Sequence, residues 1–402
     1  MLILQFAGHL LNFLLLAAAF GVFTLSLVLL VECLLSLLPQ QYKSSKGQAK
    51  TSSPRIAVLV PAHNEADGIG QTLHSILPQL SASDQVLVIA DNCSDDTARI
   101  ATTVGATVLE RSNLTQRGKG YALHYGLQTI ASAPPDVVIF VDADCQLGDL
   151  SIQRLAQQAA DSRRPVQAKY LMKKPPGASQ KEGISAFSVT VRNWVRPKGL
   201  ARLNLPFLLT GSGMAFPWHV IQSVDLASGN IVEDMKLGLD LAIAGYPPTF
   251  CEAAEVLSQL PTQRQAENTQ RTRWIHGHLQ SIVTYVPRLM GAAITQRRPG
   301  LLALALDLAV LPLTLFILLW FLLVSVAVLS SIIGLSWLPL LILVVSGVLL
   351  LTAILISWKT YGFEDLSFAE ILSIPGYILS RIPIFLKFVT RRESKWVRTD
   401  RS

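Results

Sequence analysis

Asp142-x-Asp144 closes the strand-like run Asp136–Val141, and two carboxylates delivered together suit a hard divalent ion such as Mg2+ or Mn2+ that also takes diphosphate oxygens. Alone the pattern is commonplace, but it has company. Asp91-Asn92 follows the apolar run Gln85–Ala90, and His63-Asn64-Glu65 follows Arg55–Pro61. Asp and Asn after a strand also serve as caps and turn formers. Glu233-Asp234 opens a helical run, Met235–Ala244, which stops at Gly245. Acids there complement the helix dipole, and the position predicts a depressed pKa for Asp234. Gln270, Arg273 and Trp274 are spaced i, i+3, i+4 and share one face of a helix. An amide, a guanidinium and an indole on one face suit a diphosphate under an aromatic lid; they equally suit a membrane-surface helix with a snorkelling Arg and an interfacial Trp. His276 and His278 are two apart and do not share a helix face, which argues against a metal pair. His63 reads as a packed or hydrogen-bonding histidine. Arg163, Arg164, Lys173 and Lys174 form either a solvated face or a contact for a charged acceptor.

These clusters need elements to position them. The runs 55–61, 85–90, 106–110 and 136–141 read as buried strands, and 68–80, 97–104 and 120–130 as the intervening helices. Continuous apolar strands alternating with helices predict an α/β fold, a mostly parallel sheet covered on both faces. The acidic and amide clusters then fall along the carboxyl edge, where open α/β sheets bind ligands. No Gly-x-Gly-x-x-Gly follows the first strand, and Arg117-Gly-Lys-Gly120 lacks the spacing and Ser/Thr of a P-loop. Both omissions disfavour a dinucleotide or a P-loop triphosphate.

The 402 residues are 50% hydrophobic and only 15% charged, which excludes a disordered or fibrous chain. The apolar excess sits at the ends. Glu32 is the only formally charged residue in 1–39 and Asp307 the only one in 301–358. The first stretch exceeds the ~20 residues that cross a bilayer, and the second holds two passes with a turn at Gly334–Pro339 and Trp337 at headgroup level. A signal peptide is disfavoured, since there is no basic leader and the apolar run is too long. Lys43, Lys46 and Lys50 follow the first span, Arg297 and Arg298 precede the second, and Lys359 with Arg391, Arg392, Lys395, Arg398 and Arg401 follow the third. The positive-inside rule therefore puts the middle domain in the cytoplasm, at the cell's inner (plasma) membrane. The net charge of +7 is explained by these flanks facing anionic lipid, with no nucleic acid required. Cys33, Cys93, Cys145 and Cys251 have no zinc-ligand spacing and are expected to be reduced.

Taken in order, Val60-Pro-Ala-His-Asn-Glu65, Asp91-Asn-Cys-Ser-Asp-Asp96, Gly118-Lys-Gly120, Asp142-x-Asp144, Glu233-Asp234 and Gln270-x-x-Arg273-Trp274 resemble a membrane-bound glycosyltransferase of family 2. The branch they resemble includes ceramide glucosyltransferase, cellulose synthase and hyaluronan synthase. The resemblance covers about residues 55–285 and implies a cytoplasmic domain of GT-A type, Rossmann-like, with transmembrane helices at both ends. It divides the chain into an anchor (1–40), a linker (41–54), the GT-A domain (55–285), an amphipathic connector (286–300), two spans (301–358), and an interfacial helix with a basic tail (359–402).

By the same resemblance Pro61, Asn64 and Glu65 line the nucleotide pocket, Asp91 contacts the base, read as uracil, and Lys119 lies near the nucleotide or its phosphates. Asp142 helps hold the nucleotide and, with Asp144, the metal, Mg2+ or Mn2+. Asp234 is the acceptor base with Glu233 beside it. Gln270, Arg273 and Trp274 close on the diphosphate and acceptor, and Gly211-Ser212-Gly213 supports the acceptor end. A hydroxyl needs a carboxylate to take its proton as it attacks C1, and one base with in-line displacement implies inversion. The implied activity is metal-dependent hexosyl transfer from a UDP-sugar, giving a β-glycosidic bond. Three spans with few polar residues are few for a polymer pore but enough to dock a lipid acceptor. Phe368–Val389, apolar but broken by Pro375, Arg381, Pro383 and Lys387, reads as a helix lying in the interface. A processive polysaccharide synthase and a catalytically silent nucleotide-sugar-binding protein stay open as alternatives. The sequence carries no signal of oligomeric state.

Overall fold

The computed structural model describes residues 2–39, 53–174, 180–227, 232–260, 264–363, 366–367, 370–371 and 373–390. Lys43, Lys46, Lys50, Phe368 and the basic tail from Arg391 lie outside them. Among the described residues eight strands form one sheet: β1 (Ile56–Ala62), β2 (Gln85–Asp91), β3 (Thr107–Arg111), β4 (Val137–Phe140), β5 (Gln146–Leu147), β6 (Val166–Lys173), β7 (Met214–Pro217) and β8 (Thr249–Gln259). Their order is β3-β2-β1-β4-β7-β6-β8-β5. The first four pair in parallel, as their continuous apolar runs predict. β7 enters antiparallel between β4 and β6, and β6 pairs in parallel with β8. This is an α/β fold with a mixed, mostly parallel sheet.

Alternate residues of β1 supply the two faces. Val58 and Val60 pack with Ile69, Leu73 and Ile152 on one side, while Ala57 and Leu59 pack with Leu123, Leu237 and Leu241 on the other. Chain crossovers make β1 and β4 neighbours, with β2 on the far side of β1, so the loops after β1 and β4 open a crevice at the carboxyl edge.

Among the described residues three helices are long and apolar enough to cross a membrane: Phe6–Ser36, Leu313–Ile332 and Leu338–Gly362. The turn between the last two uses Gly334 at φ 88°, a left-handed conformation that glycine adopts without steric cost. The two isolated acids of the apolar segments have a common partner. Arg196 Nε donates to Glu32 Oε2 at 2.7 Å, and its guanidinium also pairs with Asp307. All three residues are buried, so the ion cluster ties the first span and the Pro299–Ala309 helix to the domain between them.

The helix Ile374–Thr390 packs against the Arg264–Thr295 helix and the Leu313–Ile332 span. Arg381 is buried there, donating to Glu267 Oε1 at 2.7 Å and to Asn268 Oδ1 at 3.0 Å. This charge is matched by a carboxylate of the protein itself.

Candidate active site

The crevice is a cavity of about 740 Å³. It collects Pro61, Asn64 and Glu65 from the end of β1, Asp91 from β2, Asp142 and Asp144 from beyond β4, and Lys119 from the start of the Lys119–Ile130 helix. Gly211, Glu233, Asp234, Gln270, Arg273 and Trp274 complete it from the second half of the chain. Of the residues assigned to the site by sequence, two stay out of the cavity lining, Gly213 and the neighbouring Ser212. Ser212 is fully buried, and its Oγ accepts the Asp142 backbone N–H at 3.0 Å, so it holds the acidic loop from behind.

The loops after β1 and β2 are stitched together. Asn64, at φ 54°, donates from Nδ2 to Ser94 Oγ and accepts the Ser94 N–H at Oδ1. The Glu65 N–H donates to Thr97 Oγ1 at 2.8 Å. Asp91 accepts Arg111 Nη1 at 2.6 Å, which fixes its carboxylate at the cavity wall. His63 Nδ1 lies 2.6 Å from the Asp91 carbonyl oxygen, a hydrogen-bonding role. His276 and His278 likewise place their Nε2 atoms on the carbonyls of Ile384 and Leu308.

Lys119 Nζ pairs with Asp142 and donates to the Gly211 carbonyl at 2.7 Å. Burial works to lower its pKa, but Asp142, Glu233 and Asp234 outweigh it and hold the ammonium above its usual range. Ligand atoms of Asp142, Asp144 and Cys145 lie within 4.8 Å of one another. Burial pushes the Cys145 thiol up to about 12, so the donors offered to a cation are two carboxylates. That hard-oxygen set fits Mg2+ or Mn2+.

Glu233 and Asp234 begin the Glu233–Ile243 helix, yet Asp234 is not depressed as its position predicts. Loss of bulk water raises both pKa values, against the pull of Lys119 on each. The helix terminus is overridden because its favourable contribution is smaller than the desolvation. Gly211, at φ 103°, lies beside Asp234; an added Cβ would sit 3.2 Å from Asp234 Oδ2.

Sequence reasoning missed one wall. Tyr170 and Met172 from β6, Val189, Arg192 and Asn193 from the helical segments that follow, and Thr210 also line the cavity. The signal available was the polar pair Arg192-Asn193 interrupting an apolar run.

Known proteins bear on this arrangement. A Staphylococcus aureus (strain USA300) protein, 4,4'-diaponeurosporenoate glycosyltransferase, is 40% identical over 90 residues, which are 22% of this chain and 24% of that protein. Its counterpart in strain bovine RF122 / ET3-1 is 39% identical over the same extent. The match thus spans about a quarter of the length of these curated relatives. The fold is shared with the mannosyltransferase PcManGT of Pyrobaculum calidifontis, solved with GDP-Man and Mn2+, at a TM-score of 0.57 and 16% identity, covering 95% of this chain and 99% of that one. Residues 54–277, more than half of the chain, match the model described as glycosyltransferase like family 2, and the chain belongs to that family.

Proposed function

We propose that the protein is an inverting glycosyltransferase that moves a sugar from a UDP-sugar to a membrane lipid or lipid-linked acceptor, forming a β-glycosidic bond. It works at the cytoplasmic face of the inner membrane. The observation that carries this reading is the convergence of the Asp142–Asp144 pair, the Asp234 carboxylate and the Arg273 guanidinium on one cavity, in a chain with apolar helices long enough to span a bilayer. PcManGT was solved with a nucleotide sugar and Mn2+, which supports a nucleotide-sugar donor. The choice of uracil rests on Asp91 and the family resemblance. The Staphylococcus aureus relative is named for 4,4'-diaponeurosporenoate rather than for a polysaccharide, which favours the lipid-type acceptor of the ceramide glucosyltransferase branch.

In this reading Asp91, Asn64 and Glu65 hold the nucleoside, and Lys119 keeps Asp142 in place through their ion pair. Asp142 and Asp144 would hold Mg2+ or Mn2+, which when bound would supply positive charge beside the diphosphate. Arg273, whose Nε is buried without a hydrogen-bond partner among the described residues, donates to the same diphosphate. Asp234 takes the acceptor proton as the oxygen attacks C1, and its raised pKa makes it a stronger base than an ordinary aspartate. Trp274 and Gln270 cover the reacting groups.

The test is a panel of labelled UDP- and GDP-sugars given to purified full-length protein with membrane lipid extract. A labelled product that partitions with lipid, lost on chelation and restored by Mn2+ or Mg2+, is expected. A growing polymer would replace the lipid reading with a synthase, and absence of any turnover would leave a silent binding protein. Gly211→Ala should lower transfer by roughly tenfold or more, since the methyl crowds Asp234 and the left-handed backbone is costly for alanine. Unchanged kcat in that variant would remove Gly211 from the neighbourhood of the base.

A further inference from the structure

Besides Arg117, which is exposed, the cavity holds two guanidinium groups with no ion pair among the described residues, Arg192 and Arg273. On the proposed function one diphosphate needs one of them, and Arg273 is on the helix that carries Gln270 and Trp274. Arg192 is left over. It belongs to a π-helical turn, Val191–Val195, set between two α-helical segments. Such turns are rare and concentrate at functional positions. Here the turn shifts the helical register between Arg192-Asn193, which line the cavity, and Arg196, which is bonded to Glu32 of the first span. The wall bearing Arg192 is therefore the one joined to the membrane helices.

Unmatched polarity gathers around it. Asn193 is 6% exposed; its Nδ2 donates to the Tyr170 carbonyl at 3.1 Å, and its Oδ1 has no partner among the described residues. Thr210 Oγ1 is also buried without one, next in the chain to Gly211. Gly211 lies against Asp234, and Asp234 in turn feels the charge of Arg192. A buried polar atom left unpaired is costly, so two such atoms in residues that line one cavity mark this wall as built for more than packing. Met172, Val189 and Val232 supply apolar surface to the same cavity. The acidic groups already have Lys119 as a counter-charge.

We propose that this wall is the acceptor subsite and that Arg192 receives an anionic oxygen group of the acceptor, a carboxylate or a phosphate, carried on an apolar chain that enters from the membrane side. The assignment rests on the glycosyl-transfer reading for its meaning but can fail separately from it.

The test measures binding of hexadecanoate, hexadecyl phosphate and hexadecanol to full-length protein in nanodiscs, with empty nanodiscs subtracted. Hydrogen bonds to a charged group lead to the expectation that at least one anionic probe binds about tenfold or more tighter than the alcohol. The tighter of the two anions identifies the group. Arg192→Gln should erase most of that preference and Arg192→Lys retain part of it, with UDP binding reporting that each variant is folded. Arg273→Gln should instead weaken UDP binding. Equal binding of alcohol and anions, or a preference that survives Arg192→Gln, would overturn the proposal. So would a shift in the pH profile of transfer in Arg192→Gln with no change in acceptor KM, since that marks a counter-ion of Asp234. Loss of turnover with every nucleotide sugar in the wild-type protein would instead remove the glycosyl-transfer reading, leaving the anion preference to be judged by the binding data.

Discussion

Asp234→Asn is expected to cut sugar transfer by about 10²–10⁴-fold, the usual contribution of a positioned general base, while UDP binding stays within a few-fold of wild type. The amide keeps the shape of the carboxylate but cannot take the acceptor proton. On the proposed function, donor binding rests on other groups of the cavity, on Asp91 with its Arg111 partner and on Asp142 with Lys119. Initial rates and calorimetric UDP binding on the same preparation check both halves. Full turnover by purified Asp234→Asn protein would refute the assignment. The raised pKa adds a sign: Asp234 gains its proton at a higher pH than an ordinary aspartate. The acid limb of kcat/KM should therefore lie above the usual aspartate range, since activity is lost as the base is protonated.

The second large effect concerns stability. Arg196→Met strands Glu32 and Asp307 as buried carboxylates without their counter-charge, and breaking such a cluster costs about 3–5 kcal/mol. Each acid already has one oxygen without a partner among the described residues, Glu32 Oε1 and Asp307 Oδ2, so there is no second donor to take over. Close packing leaves little room for relaxation: a methyl on Gly199 would overlap the Glu32 carbonyl. Thermal unfolding in detergent should drop by several degrees. Replacing all three charges together, Glu32→Gln, Arg196→Met and Asp307→Asn, should recover most of the loss, because no charge is then left buried. An Arg196→Met protein with wild-type unfolding would mean that the cluster contributes nothing.

The parallel half of the sheet was legible because each strand is a continuous apolar run ending in a polar cluster, and β1, β2, β3 and β4 fall within a residue or two of the expected runs. The antiparallel half was not. β7 is four residues long, β8 mixes Glu252 and Glu255 with alanines, and β6 pairs with β8 through a register shift between Ala168 and Lys169. β7 is too short to show a period of two, and residues 252–255 break it in β8. β6 does alternate, with Val166, Ala168, Tyr170 and Met172 in the core, and sequence reasoning passed over that signal. The site was legible where chemistry sits at strand ends or in a helical i, i+3, i+4 pattern. Arg192, Asn193 and Thr210 follow no spacing rule, and the partner of Glu32 and Asp307 lies over a hundred positions from either. Asp234 reversed its expected shift because burial, unlike a helix start, cannot be read from neighbours in the chain.

The attachment of Ile374–Thr390 has a consequence for biogenesis. The sheet is complete once Gln259 has been made, and the helix bearing Gln270, Arg273 and Trp274 follows it in the chain. Yet that helix is anchored by Arg381 on Glu267 and by the Ile384 carbonyl on His276, which are translated only after the last span. On the proposed function the lid over the leaving group is thus finished after the membrane segments have been made, and a nascent chain still threading into the bilayer would have its sheet but not its closed donor site.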